Sequence, residues 1–176
     1  ELLGDILLPL LRMQTNFWKQ LCTPEYFTDT DGNACYLKGK KSLNDCEKYL
    51  IIPSYSPENH PKGYESTITA NAAMDISAAR DGLRMNIEVE KILKFEGYED
   101  RISEIQNFEK LLPDYKFDDS GALCEWSMKG YEENNVHRHI SHLYCAWPAY
   151  ETQHSKVLTD ACNQAIENRN TENKGH

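Results

Sequence analysis

The chain has 176 residues, 40% of them apolar, and 19 basic against 28 acidic side chains leave a net charge of −9. That length suffices for one domain with a real core, and the negative balance argues against nucleic acid and anionic membrane surfaces, which attract positive charge. No apolar run approaches the roughly 18 residues that a membrane-spanning helix needs.

The chain opens on Glu-Leu-Leu-Gly, with no initiator Met and no basic segment ahead of a cleavage site. It does not read as a signal peptide and is expected to be an internal stretch of a longer protein. Residues 2–21 carry Leu3, Ile6, Leu7, Leu10, Leu11, Phe17, Trp18 and Leu21 at spacings of three and four, which predicts an amphipathic helix with a broad apolar face. Pro9 either kinks that helix or marks its true start, and Thr23-Pro24 ends it. Residues 28–41 hold Asp29-Thr30-Asp31-Gly32-Asn33, which looks like a calcium loop but lacks the ligand series and the distant Glu. A turn between short strands is expected there, with strands at Tyr36-Leu37 and at residues 49–52. The six cysteines are dispersed with no C-x-x-C, so free buried thiols are expected, with a Cys35–Cys46 bridge as the alternative.

Residues 51–61 read IIPSYSPENHP, with three prolines in nine residues from Pro53 to Pro61. Proline fixes its own φ and biases the preceding residue toward extended geometry, so this is a stiff loop. A stiff loop can hold its one carboxyl group, Glu58, in one place, as acid catalysis requires. A plain surface turn with a solvated Glu58 is the alternative.

Residues 66–96 are the longest periodic segment, with Thr67 or Thr69 as a cap and Ala72, Ala73, Ile76, Ala79, Leu83, Ile87, Val89, Ile92 and Leu93 on one face. Gly82 interrupts the pattern, and Gly97 is expected to stop the helix. Asp75 near its start either favours the helix N-terminus by charge or lines a site. Residues 98–112 predict a further helix closed by Pro113, and residues 115–126 a hairpin around Asp118-Asp119-Ser120-Gly121. Residues 151–169 predict a last helix with Val157, Leu158, Ala161, Ala165 and Ile166 inward; residues 171–176 read as a polar, frayed end. No βαβ alternation occurs, so the expected class is all-α with short β-hairpins.

Between these elements lies HRHISHLY, residues 137–144, followed by Trp147-Pro148. A helix there would bring His139 and His142 near one face. Taken in order, SPEN at 56–59, LCEW at 123–126 and HRHISHLY resemble the catalytic domain of glycoside hydrolase family 95, over residues 2–169. The family's enzymes are inverting α-L-fucosidases and relatives that act on stereochemically related α-galactosyl groups. The resemblance implies a partial (α/α)6 toroid, since a closed ring needs about twice these helices, and a single catalytic-domain segment over residues 1–176. It implies Glu58 as general acid, Arg138 and His139 as sugar contacts, no cofactor, and a glycan and the rest of the barrel as partners. Glu125 could accept sugar hydroxyls and Trp126 could stack on a sugar face, with core packing as the alternative for the tryptophan. The family's aspartate base, downstream of the histidines, matches no residue here. Two other readings stay open: a metal-dependent hydrolase with His137, His139 and His142 as ligands, and a non-catalytic helical carbohydrate-binding domain. Arg138 beside the histidines disfavours a cation, so no bound metal is expected.

Overall fold

The structure, a computed structural model, describes residues 1–172. Among these residues it is mostly helical, with four α-helices and five strands of two or three residues. The polar end at residues 173–176 lies outside the described residues.

A π-helical stretch, Leu2–Leu7, runs into α1, Leu8–Leu21. Pro9 stands in the first turn of α1, where the chain passes from π-helical to α-helical hydrogen bonding. It thus marks the start of the regular α-helix, inside a helical stretch that begins at Leu2. Only Leu8, Leu11 and Trp18 of the apolar residues in α1 are buried, whereas Leu10, Met13 and Phe17 face outward. The face predicted for the core is thus split, and half of it has no covering element among the described residues.

Strands β1 (Tyr26–Thr28), β2 (Ala34–Tyr36) and β3 (Lys48–Tyr49) form an antiparallel sheet in the order β2-β1-β3. The calcium-like loop is the β1–β2 turn: the Asp29 carboxylate accepts from the backbone N–H groups of Asp31 and Asn33, an Asx turn. All six cysteines are unpaired.

Strands β4 (Ser54–Tyr55) and β5 (Ile68–Thr69) pair antiparallel. This pairing claims the residues expected to start the long helix, so α2 runs only Ala73–Leu93. Neither Thr67 nor Thr69 caps it; Asn71 turns the chain at φ 51° and Ala72 is the N-cap. At the other end Lys94, not Gly97, takes the left-handed C-cap conformation at φ 50°, and Gly97 (φ 74°) instead precedes α3, Tyr98–Lys110. Gly82 lies within an unbroken helix because α1 crosses there: a Cβ would meet the Gln14 side-chain amide at 2.5 Å.

α2 is the central element. Its Ile76, Ala79 and Leu83 are fully buried against Trp18, Ile51, Ile105, Phe108 and Leu112. Burial of apolar surface stabilises by about 25 cal/mol per Å², and this cluster has more buried members than the other apolar clusters among the described residues. Ile92, expected inside, is exposed beyond it. A second cluster joins Leu123, Leu143, Cys145, Leu158, Ala161 and Cys162. It fastens the expected turn at Asp118–Gly121, bridged at Phe117 and Leu123, to α4, Lys156–Glu172. α4 starts later than expected because Glu151–His154 forms a 3-10 turn. Leu158, Ala161 and Ala165 face in, but Val157 and Ile166 are exposed.

Candidate active site

Glu58 sits at the tip of a loop fastened on both sides. On the approach, the Ser54 hydroxyl donates to the Asp75 carboxylate at 2.6 Å, and the Tyr55 N–H donates to the same oxygen at 3.0 Å. Asp75 thus ties β4 to the start of α2, and its charge also sits favourably in the first turn. At the tip, the Pro57 carbonyl accepts from the Ser141 hydroxyl at 2.9 Å and lies 3.1 Å from His139 Nδ1. Ser56 and Asn59, which flank Pro57 and Glu58, are fully buried, while the Glu58 side chain is 58% exposed. The Pro57–Glu58 peptide is cis. Polar residues of the kind that read as turn-formers act here as anchors, and the carboxyl they frame is the group left to solvent.

The histidine segment meets this tip. The Arg138 guanidinium donates to Glu58 Oε2 at 2.8 Å, and His139 Nδ1 lies 3.8 Å from the same oxygen. The segment is not a helix through His139 and His142; it is irregular until a 3-10 turn at Ser141–Cys145. That geometry sends His142 inward, where it is 2% exposed, while His137 and His139 stay half-buried with their rings edge to face, 5.0 Å between ring centres. Burial, and then the Arg169 charge, push His142 down to about 3. Burial, then His139, Arg169 and Arg138, hold His137 below the ordinary histidine range. Both rings are therefore neutral at pH 7.

The metal-ligand trio expected from spacing does not form, because His142 is buried apart from the other two. The group that does converge is Glu58, His137 and His139, with ligand atoms within 4.8 Å of one another. Arg138 already supplies positive charge to its carboxylate.

Glu125 and Trp126 lie beneath the surface, each fully buried. Glu125 Oε1 accepts from the Ser56 hydroxyl at 2.5 Å, and Oε2 accepts from Asn59 Nδ2 at 2.7 Å and from the Arg169 guanidinium. No free oxygen remains to receive a sugar hydroxyl. The Trp126 ring packs edge-on to Tyr131 and presents no open face. The expected direct sugar contacts by these two residues are therefore not available in this arrangement.

Beside Glu125, its own N–H donates to Glu133 Oε2 at 2.8 Å. Burial pushes the Glu133 carboxyl up to about 7, only partly opposed by that hydrogen bond. Its folded pKa thus exceeds an unfolded value of about 4.3. The folded state keeps the proton longer, so stability falls as pH rises through the window between these values. Glu133→Gln keeps an acceptor for the Glu125 N–H and removes the titration. Between pH 5 and pH 8 the variant should therefore gain stability relative to the wild type, by up to about 1.4 kcal/mol for each pH unit that separates the two pKa values. Thermal midpoints at the two pH values check this, and an equal difference between the proteins at both would rule it out.

A cavity of about 780 Å³ opens beside the Glu58 tip. Pro57, Arg138, His139 and Ser141 line it, together with Met74, Leu143, Tyr144, Trp147 and Pro148. No Asp or Glu is among the described residues that line it. Trp147, 71% exposed, is the indole with an open face there. The Trp-Pro pair beside the histidines was its signal in the sequence. The LCEW tryptophan carries the same aromatic signal, but Leu123, Cys124, Glu125 and Trp126 are all buried, which the sequence does not announce.

The comparisons agree with this architecture. Residues 31–176 match the model of the glycosyl hydrolase family 95 catalytic domain. The chain is also similar to a protein described as alpha-L-fucosidase 2 from Arabidopsis thaliana, 25% identical over 177 residues, which cover 88% of this chain. It spans about a fifth of that relative's length, 21%. A helical segment that sets an exposed carboxylate against an arginine and a histidine that line one cavity, and that matches this model over most of its length, belongs to glycoside hydrolase family 95.

Proposed function

We propose that this chain is the acid-bearing segment of an inverting glycosidase that removes terminal α-L-fucosyl, or stereochemically related α-galactosyl, groups from glycans. One observation carries the reading: Glu58 is exposed on a tied-down loop, paired with Arg138, beside the cavity that Pro57 and Arg138 line. The family match and the printed description of the Arabidopsis relative support the reaction class.

Inversion is a single displacement. Glu58 gives its proton to the glycosidic oxygen as that bond breaks. A second carboxylate about 6.5–9.5 Å away activates water on the opposite face of the sugar. In this reading the second carboxylate comes from another part of a longer parent protein. Arg138 and His139 present donors to sugar hydroxyls at the rim, and Trp147 offers an apolar face to the ring. Glu125 and Trp126 support the site from below.

The same reading makes the chain part of an (α/α)6 toroid. Leu2, Ile6, Leu10, Met13 and Phe17 are each more than half exposed and follow one another at spacings of three and four. Such a stripe suits packing against further helices of the barrel.

The test of inversion uses the full-length parent on an α-1,2-fucosylated glycan. Proton NMR should show β-fucose as the first-formed anomer, with α-fucose arising only by mutarotation. First appearance of α-fucose would rule out the single displacement.

A further inference from the structure

The chemistry just proposed gives Glu125 no proton to move, although it is a fully buried carboxylate. A buried charge is costly unless its lone pairs are filled, and breaking such a pair is strongly destabilising. Here the donors are distributed with a purpose that core packing does not need. Ser56 and Asn59 stand two residues before Glu58 and one after it, and both donate to Glu125. The third donor, Arg169 from α4, has a second arm: its NH1 group donates to the His137 carbonyl at 2.7 Å. His137 precedes Arg138, whose guanidinium holds Glu58. A single buried ion pair therefore grips the acid loop on one side and the histidine segment on the other. Asn134 adds a parallel brace, donating to Asn59 Oδ1 at 3.1 Å and to the His60 carbonyl at 3.2 Å.

We infer that Glu125 and Arg169 are positioning residues for the acid, setting where the Glu58 carboxyl stands relative to the leaving oxygen and to Arg138. The inference rests on Glu58 being the general acid and deepens that reading. Small displacements suffice for a large effect, since misplacing a reacting group by about 1 Å can cost on the order of 10²-fold.

The experiment compares Glu125→Gln, Arg169→Lys and Glu58→Gln in the full-length parent, on a natural α-fucosylated glycan and on α-L-fucosyl fluoride, whose leaving group needs no proton. Glutamine keeps the shape but turns one acceptor into a donor facing donors; lysine keeps the charge but loses the two-armed fork. Both variants should lose about 10²-fold in kcat on the glycan, with KM and turnover of the fluoride nearly unchanged. Should Glu125→Gln fail to fold, Ser56→Ala removes one neutral donor and should give a smaller loss with the same substrate selectivity. Equal loss on both substrates, or no loss on the glycan, would overturn the inference. If Glu58→Gln shows leaving-group dependence while the other variants do not, only the positioning role fails. If Glu58→Gln shows none, the acid assignment itself falls, and the positioning role with it.

Discussion

Glu58→Gln in the full-length parent is expected to lower turnover of a natural α-fucosylated glycan by about 10² to 10⁴-fold, the usual contribution of general acid catalysis. Folding should be unaffected. The Glu58 ion pair with Arg138 is more than half exposed on both partners, and exposed pairs are worth about 0–1 kcal/mol. The loop is held by Ser54, Ser56, Pro57 and Asn59, none of which the substitution touches. An amide retains the carbonyl that can accept from Arg138 but has no proton to give to a leaving alkoxide. The defect should accordingly follow the leaving group: severe on the glycan, mild on the fluoride. Equal losses on the two substrates would remove Glu58 from the acid role, and wild-type turnover of the glycan by Glu58→Gln would remove it from the chemistry altogether.

The loop and its exposed carboxyl were legible because they are encoded locally. Three prolines stiffen residues 53–61 whatever surrounds them, and SPEN is contiguous. The helices were legible in kind, since α2 and α3 show a clear 3.6-residue period, but less so in their bounds. Residues 66–69 stand at the head of the periodic segment, where a cap is expected, and yet Ile68 and Thr69 pair with β4, a long-range choice that no local pattern announces. Glu125 shows the same limit at the site. Next to a tryptophan, in a chain with 28 acidic residues, nothing local marks it as the one carboxylate with Ser56, Asn59 and Arg169 around it. Those partners stand 69, 66 and 44 residues away. His142 was misplaced for a related reason. A spacing of three suggests a shared helical face, but the segment turns as a 3-10 helix only from Ser141 onward, which separates His142 from His139.

The 176-residue chain, produced alone, should not hydrolyse a fucoside and should self-associate. The first half of that expectation comes from the carboxylates. Inversion needs a second one about 6.5–9.5 Å from the acid, yet the described residues lining the cavity beside Glu58 include none. The candidates elsewhere are committed. Asp75 holds Ser54 and Tyr55; Glu125 is buried under three donors; Glu151 accepts from Ser77 and Tyr115 and pairs with Arg84. Without water activation the loss should be several orders of magnitude, because protonation and attack occur in one step. The second half comes from the apolar stripe of Leu2, Ile6, Leu10, Met13 and Phe17. Contiguous apolar surface of this kind marks a face that another element should cover, and left open it drives association. Sedimentation velocity of the isolated chain should therefore show species heavier than the 20.3 kDa monomer, dissociating as Met13 and Phe17 are replaced by Lys. Side-by-side assays with the parent on an α-1,2-fucosylated glycan decide the catalytic half: turnover by the short chain near the parent's rate would mean that a base lies within these residues after all. A monomer at high concentration would mean that the α1 stripe is simply surface.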